Sequence, residues 1–455
     1  MSEISMRHLE EKDKKYVWHP FTQMMDWEEE EIVIIKEADG VYIKDINGKT
    51  YIDGVSSLWT NVHGHRKQKI DEAIKNQIDQ ISHSTFLGLS NVPAILLAEK
   101  LVQITPPGLD KVFFSDSGSE AVEVALKVAY QYWCQKENPE PQRTKFVHLK
   151  HSYHGDTLGS VSVGGIDLFH KIYKPFLFET ISVPSPYCYR CPFSQTKEQC
   201  SRECFGEFAR VIRQHNKEIA AVVVEPLMQG AAGMINQPKG YLSAVSDLAK
   251  NEGIVLIFDE VATGFGRSGK MFAAEWEDIK PDIMALGKGI TGGYLPLSAT
   301  LFTKDIFNAF LGDYSDFKSF FHGHTYTGNQ LAAQAALTNI EIFEDEKVLE
   351  TLSPKIELLA KRLESFYELE HVGDIRQVGF MVGIELVRNG NTKEPYEAGD
   401  KIGIKVIMEA RRRGVIIRPL GDVIVIMPPL SIDQSQLNTL LDVIYDSIKL
   451  VTSNA

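Results

Sequence analysis

Five short apolar runs divide the middle of the chain: Val112-Phe113-Phe114, Phe146 to Leu149, Ala220 to Val224, Ile254 to Phe258 and Ile283 to Leu286. Stretches with apolar residues at helical spacing separate most of them, for example Glu120 to Trp133 and Phe205 to His215. This alternation predicts buried strands linked by helices, in a mostly parallel, doubly wound sheet. A polar cluster closely follows each run: Ser115-Asp116-Ser117-Gly118, His151 to Gly155, Glu225, Asp259-Glu260 and Gly287-Lys288. Open parallel sheets bind ligands outside the carboxyl ends of their strands. The five clusters are therefore expected to converge on one site.

The flanks read differently. Ile32 to Asp53 looks like a β-meander, with a hairpin turn at Asp45-Ile46-Asn47-Gly48-Lys49. Helical spacing covers Ala332 to Phe343 and Pro354 to Tyr367; strands return at Val382 to Val387 and Val423 to Ile426. Gln434 to Val451 is again helical by spacing.

Composition narrows the class. The 455 residues are 44% hydrophobic and 24% charged, which excludes disorder, collagen and coiled coil as the main theme. There are 48 basic and 61 acidic side chains, a net charge of −13. That disfavours nucleic acid and anionic membrane as partners, since both require positive potential. No apolar run approaches the roughly 20 residues of a membrane span. Met1 to Lys15 is charged throughout and lacks the apolar core of a secretory signal, so a cytoplasmic location is expected.

Two motifs are misleading. Gly264 to Lys270 matches both G-x-G-x-x-G and G-x-x-x-x-G-K. Met271 occupies the position where the second pattern needs Ser or Thr to hold Mg²⁺. Asp259 to Thr263 separate the first pattern from its strand. A flexible turn beside a ligand pocket is the expected role. His63-Gly64-His65 and His322-Gly323-His324 place alternate residues on opposite faces of an extended segment, which does not suit one metal ion.

Asp259-Glu260-Val261-Ala262-Thr263-Gly264-Phe265-Gly266-Arg267, followed by Leu286-Gly287-Lys288-Gly289, carries a more specific signal. These residues resemble the class III, or ω, pyridoxal-phosphate aminotransferases, and the likeness extends over nearly the whole chain. The resemblance implies an α/β fold of the type I aminotransferase kind. A large domain, with a mostly parallel sheet covered by helices, is joined by a small α+β domain built from both termini. The expected division is 1–64, 65–330 and 331–455, with the middle segment binding pyridoxal 5'-phosphate and the outer two forming the small domain. A homodimer with its site at the subunit interface is implied as well.

The residues fit that chemistry. Lys288, after a buried strand and among glycines, is the candidate amine for the Schiff base, and desolvation there should lower its proton affinity. Asp259, at a strand end, is the candidate partner of the pyridine nitrogen. Ser117-Gly118-Ser119 precedes a helix, whose free N–H groups suit phosphate. The family likeness assigns Tyr153 to ring stacking, with Asp156 and Glu225 as hydrogen-bonding candidates. It assigns His324 and Thr325 to cofactor binding, with Thr325 reaching the phosphate from the neighbouring subunit.

Four further stretches resemble the members of this family that act in biotin synthesis, aminating 8-amino-7-oxononanoate. They are Trp18 to Met24, Asp53 to Trp59, Phe321 to Thr325 and Arg418 to Gly421. Arg418 is the candidate clamp for the substrate carboxylate. Trp18, Phe21, Leu58, Trp59, Tyr153, Lys288 and Gly323 complete the expected substrate pocket. Members that use S-adenosylmethionine as amino donor typically carry Tyr where Phe21 stands and Trp where Leu58 stands, with a further Tyr near Val425. S-adenosylmethionine is the family default, and the Pro20 to Met24 pattern resembles a branch that uses lysine. The alternatives are a 4-aminobutyrate or ornithine aminotransferase, and a nucleotide-binding switch built on Gly264 to Gly269.

Four of the five cysteines cluster as Cys188-x₂-Cys191-x₈-Cys200-x₃-Cys204. The spacing is compatible with a four-thiolate metal site, zinc or iron–sulfur. The alternative is a set of reduced thiols, as expected for a cytoplasmic protein. Elsewhere no metal site is expected.

Overall fold

The computed structural model describes residues 6–196 and 198–453. The N-terminal meander consists of β1 (Ile35–Asp39), β2 (Tyr42–Asp45) and β3 (Thr50–Asp53), paired antiparallel. Then come β4 (Leu109–Ser115), β5 (Lys145–Leu149), β6 (Thr180–Val183) and β7 (Ile219–Val224). A short hairpin follows, β8 (Met228–Gln229) with β9 (Ile235–Asn236). β10 (Val255–Asp259), β11 (Ile283–Leu286) and β12 (Ser298–Thr303) complete a seven-stranded sheet, in the order β4-β12-β11-β10-β7-β5-β6. From β11 through β6 every pairing is parallel; β12 runs antiparallel to both β11 and β4.

Side-chain alternation explains why these strands are apolar at every position. Val222, Val224, Leu256, Phe258, Met284 and Leu286 enter one core. Ala221, Val223, Val255, Ile257, Ile283 and Ala285 enter the other, with residues of the helix Gly118–Gln135. Both faces are covered. Glu225, the first residue after β7, and Asp259, the last of β10, each lie two residues beyond a member of the second row, Val223 and Ile257, and continue it.

β12 carries no continuous apolar run and was not expected. Its buried Thr300 donates to the carbonyl of Ala121 at 2.8 Å, so a polar residue is satisfied inside the sheet by the backbone of the covering helix.

The two ends of the chain share one region. β13 (Val372–Val378) and β14 (Met381–Leu386) are followed by β15 (Val415–Ile416), β16 (Arg418–Leu420) and β17 (Val423–Ile426). Four of these form an antiparallel sheet, β13-β14-β17-β16, while β15 pairs in parallel with β3. Gly54 allows that approach: a Cβ there would lie 2.8 Å from Ile417 Cγ2. Helix Gln330–Asp345 packs against helices Gln68–Gln80 and Val92–Ile104. The helix expected from Pro354 begins earlier, at Val348, after a left-handed Lys347, and Pro354 stands inside it.

The glycine-rich segment corrects an expectation. Gly264 to Ser268 is buried packing rather than a flexible turn beside a pocket. Arg267 is 1% exposed and donates to the carbonyls of Asn61 and Pro428, both at 2.6 Å. A Cβ on Gly266 would lie 2.6 Å from Leu430 Cδ1. No room remains there for a nucleotide, so the small residues serve close approach around an arginine that ties three segments together. His63 and His65 likewise have ordinary partners, the carbonyl of Asn339 and the carboxylate of Asp53. No helix among the described residues is long and apolar enough to cross a membrane.

Candidate active site

The strand order changes direction between β5 and β7, and ligand sites form at such crevices. Trp59, Gly118, Ser119, Tyr153, Glu225, Asp259 and Lys288 all line one cavity there of about 390 Å³. The convergence expected of the polar clusters is present.

Lys288 follows β11 and opens a single 3₁₀ turn with φ of 43°, a backbone region that non-glycine residues rarely occupy. Its amine lies 4.9 Å from the centre of the Trp59 ring. Among the described residues it makes no hydrogen bond or ion pair. Burial lowers its pKa from the ordinary lysine value, and the charges of Asp259 and Glu225 offset this only in part.

Asp259 Oδ2 accepts from His154 Nδ1 at 2.7 Å, and Oδ1 accepts from the Val261 N–H at 3.0 Å. Burial opposes charge on His154, but its hydrogen bond to Asp259 and the two nearby carboxylates raise its pKa overall. Glu225 accepts from the N–H groups of Tyr153 and Gly230, both at 2.9 Å. Burial pushes Glu225 up to about 7. Glu260, adjacent to Asp259, turns away and accepts from Thr263, Ala273 and Ala274.

Ser117 is not part of the cavity wall. It caps the helix Gly118–Gln135, and Glu120 accepts from the N–H groups of Asp116 and Ser117. The N–H groups of Gly118 and Ser119 remain without a partner among the described residues, at the positive end of the helix dipole. Two glycines keep this corner narrow. A Cβ on Gly118 would lie 2.5 Å from Val261 Cγ1, and one on Gly155 would collide with Ser119 Oγ. Ser119 and Thr157 are joined at 2.8 Å.

Tyr153 lines the same cavity, its hydroxyl donating to Asp156 at 2.7 Å. Its ring contacts Phe169 and His170 at centroid distances of 6.3 and 6.4 Å. Phe169 in turn contacts Phe21 at 5.4 Å, which links the exposed Phe21 to Tyr153. Trp59 ends an unusual run. Ser56, Ser57, Leu58 and Trp59 are all left-handed, with φ of 51°, 49°, 75° and 70°. Each costs about 1 kcal/mol or more. The run is held by Ser57 bonding to Asp53 and by Ser56 donating to the carbonyl of Met427. It turns Leu58 outward and buries Trp59.

Phe21, Leu58, Gly323, His324, Thr325 and Arg418 are not in the wall of this cavity. Gly323 and Thr325 are exposed, and His324 Nδ1 lies 3.4 Å from Glu120. Arg418 is half-buried on β16, and its guanidinium has no ion pair among the described residues. Sequence reasoning missed His154, Val261, Thr157 and Phe169. The adjacent His154-Gly155 was the available signal for the first.

The four clustered cysteines surround a separate cavity that shares no wall residue with the first. Burial pushes the Cys204 thiol up to about 11, and Cys200, Cys188 and Cys191 act in the same direction.

The sheet order and the lysine it delivers to the crevice define an α/β aminotransferase. The chain belongs to the family "Aminotransferase class-III", which matches residues 24–448. It is 55% identical to an adenosylmethionine-8-amino-7-oxononanoate aminotransferase of Nitratidesulfovibrio vulgaris, over 98% of this chain and 82% of the relative. A protein of that name from Geobacter sulfurreducens is 51% identical, over 99% and 100%. The crystal structure of the Methanocaldococcus jannaschii protein of that name is 49% identical, with a TM-score of 0.93, over 98% and 99% of the two chains.

Proposed function

We propose that this enzyme transfers an amino group to 8-amino-7-oxononanoate, giving the 7,8-diaminononanoate of biotin synthesis, with pyridoxal 5'-phosphate as cofactor. S-adenosylmethionine is the proposed donor. The observation that carries the chemistry is the Lys288 amine, unpaired among the described residues, in one cavity with the Asp259–His154 pair. The relatives' names support the substrate.

The cavity suits the cofactor. Trp59 Nε1 and His154 Nε2 are buried polar atoms without partners, and the Gly118 corner offers two open N–H groups. Lys288 would hold the cofactor, Asp259 would face its ring nitrogen, and Gly118 and Ser119 would receive its phosphate. Tyr153 and Val261 supply the cavity walls. When bound, pyridoxal phosphate supplies an aldehyde that exchanges amino groups and a ring that withdraws electrons.

This chain's residues do the rest. Lys288 Nζ, its proton affinity lowered by burial, takes the proton from the donor's α-carbon. His154 holds its proton at Nδ1 against Asp259 and orients that carboxylate. Glu225 fixes the Tyr153 loop through its N–H. Arg418 receives the substrate carboxylate, where a planar guanidinium matches it. A homodimer, in which Thr325 of the partner subunit completes the phosphate cup, accounts for the exposure of the 321–326 segment. Phe321 is 75% exposed and Tyr326 57%. A cytoplasmic location fits a biosynthetic enzyme of this kind.

Lysine as donor is the second reading, favoured by Phe21 and Leu58 at positions where adenosylmethionine users carry Tyr and Trp. A half-reaction decides between them. Conversion of the bound cofactor to its amine form by S-adenosylmethionine is the expected result, and conversion by lysine alone selects the second reading. Conversion by 4-aminobutyrate or ornithine alone would overturn both.

A further inference from the structure

Residues 184–202 join β6 to the helix Glu203–His215, and the described residues among them form no strand or helix. Loops this long are uncommon in compact domains unless something organises them. Among the described residues from 187 to 205, none is buried, so the segment has no apolar core.

Its first half is tied down. Ser185 bonds to Gln229, which donates to the carbonyl of Lys150 at 2.8 Å. Tyr187 donates to Glu385, and Arg190 reaches the same carboxylate at 2.6 Å and the carbonyl of Lys393 at 2.9 Å. Arg376 completes that network, contacting Glu385 at 2.6 Å and Tyr187 at 3.1 Å. The second half shows short-range bonds: Ser194 N–H to Cys191, Gln199 N–H to Thr196, and Gln195 with Ser201.

Cys188 and Cys191 lie in the first half, Cys200 in the second, and Cys204 in the first turn of the helix that follows. All four cysteines line one cavity of about 300 Å³. None is in a disulfide. The Arg202 N–H donates to Cys200 Sγ at 3.4 Å. Arg202 and Ser194, at φ of 59° and 57°, turn the chain beside Cys200 and Cys191. The sulfurs are not at metal-ligand spacing. Among the described residues, the only three candidate ligand atoms within 4.8 Å of one another belong to Asp116, Glu120 and His324. Rotation about the Cα–Cβ bonds, between staggered rotamers, re-aims each sulfur without moving the backbone.

We infer that Cys188, Cys191, Cys200 and Cys204 form a structural zinc site that ties the two halves of the 184–202 segment to each other and to the first turn of the following helix. Four thiolates and no open position make a closed tetrahedral site, with Zn–S bonds of about 2.3 Å. Binding converts four thiols and one Zn²⁺ to a tetrathiolate and releases up to four protons. The role is to hold Tyr187 and Arg190 on Glu385, beside the loop that carries Tyr153. His151, two residues before Tyr153, contacts the Tyr187 ring at 6.3 Å.

The test is metal analysis of the full-length protein, purified with its cofactor under reducing conditions. About one equivalent of zinc is expected, falling below about a tenth in Cys188→Ser and Cys204→Ser, with Cys134→Ser unchanged as control. Because either variant could fail to fold, cobalt substitution of the wild-type protein provides a second reading. The expected result is the intense visible absorption of tetrahedral cobalt thiolate. Less than about a tenth of an equivalent of any metal after incubation with zinc overturns the proposal. So does a cobalt protein without thiolate absorption, a thiol count showing disulfides in the cluster, or iron in place of zinc.

Discussion

His154 and Asp259 are 105 residues apart in the chain and 2.7 Å apart in the structure, joined Nδ1 to Oδ2 in a buried pair. The bond turns one carboxylate at a strand end into an oriented group of the cleft. Asp259→Asn is expected to lower kcat by about 10² or more, since an electrostatic partner is lost in a buried site. His154→Gln keeps the carboxylate but loses the charged donor, and a loss of about tenfold is expected. His154 has a raised pKa, so its charged form persists below the unfolded value of 6.5 and is lost as pH rises through the folded value. The alkaline decline of kcat that follows should be absent from His154→Gln. Full activity in Asp259→Asn would contradict the pairing.

Glu225 gives a pH dependence of stability with a definite sign. Its carboxyl is raised from 4.5 to about 7 by burial. Between those values the folded chain keeps a proton that the unfolded chain has released. Stability from this group therefore falls as pH rises through that window, by at most about 3 kcal/mol, and is flat above it. Glu225→Gln does not titrate. Urea unfolding of both proteins should show the wild type losing stability relative to the variant from pH 5 to pH 8. A difference that stays constant would show that the carboxyl is not raised.

Gly118 and Val261 test how closely the phosphate corner is packed. Gly118→Ala places a methyl group 2.5 Å from Val261 Cγ1, and a loss of about 1–3 kcal/mol is expected. Val261→Ala in the same chain restores the space. The double variant should be more stable than the sum of the single effects by about 1 kcal/mol, measured from denaturant midpoints. Simple additivity would mean the two residues do not press on each other.

Arg418 is the proposed carboxylate clamp, and its half-buried guanidinium has no ion pair among the described residues. Arg418→Lys should raise KM for the keto acid by about tenfold or more, because a point charge replaces a planar fork. The methyl ester of the same substrate should show no such change. An unaltered preference of acid over ester would remove the clamp from the account.

The sequence was most legible where chemistry and pattern coincide. Continuous apolar runs marked β7, β10 and β11, because both faces of those strands are covered. Lys288, Asp259 and Glu225 were legible as polar residues directly after such runs. β12 was not, because Ser298 and Thr300 break the apolar pattern and Thr300 is satisfied only by a distant helix backbone. His154 was visible only as a histidine beside Tyr153, since its partner comes from another strand. Arg267 was hidden inside a glycine pattern that resembles a phosphate loop. The left-handed run Ser56–Trp59 depends on Asp53 and Met427, and no local rule foretells four such residues in succession.

The most direct measurement concerns Lys288. Purified protein supplemented with pyridoxal phosphate is treated with borohydride and its peptides are mapped by mass spectrometry. The account predicts a visible absorption band that borohydride bleaches, with the cofactor's mass fixed on the peptide containing Lys288, and neither in Lys288→Ala. A protein that stays colourless with added cofactor, or a label on a different lysine, would contradict it.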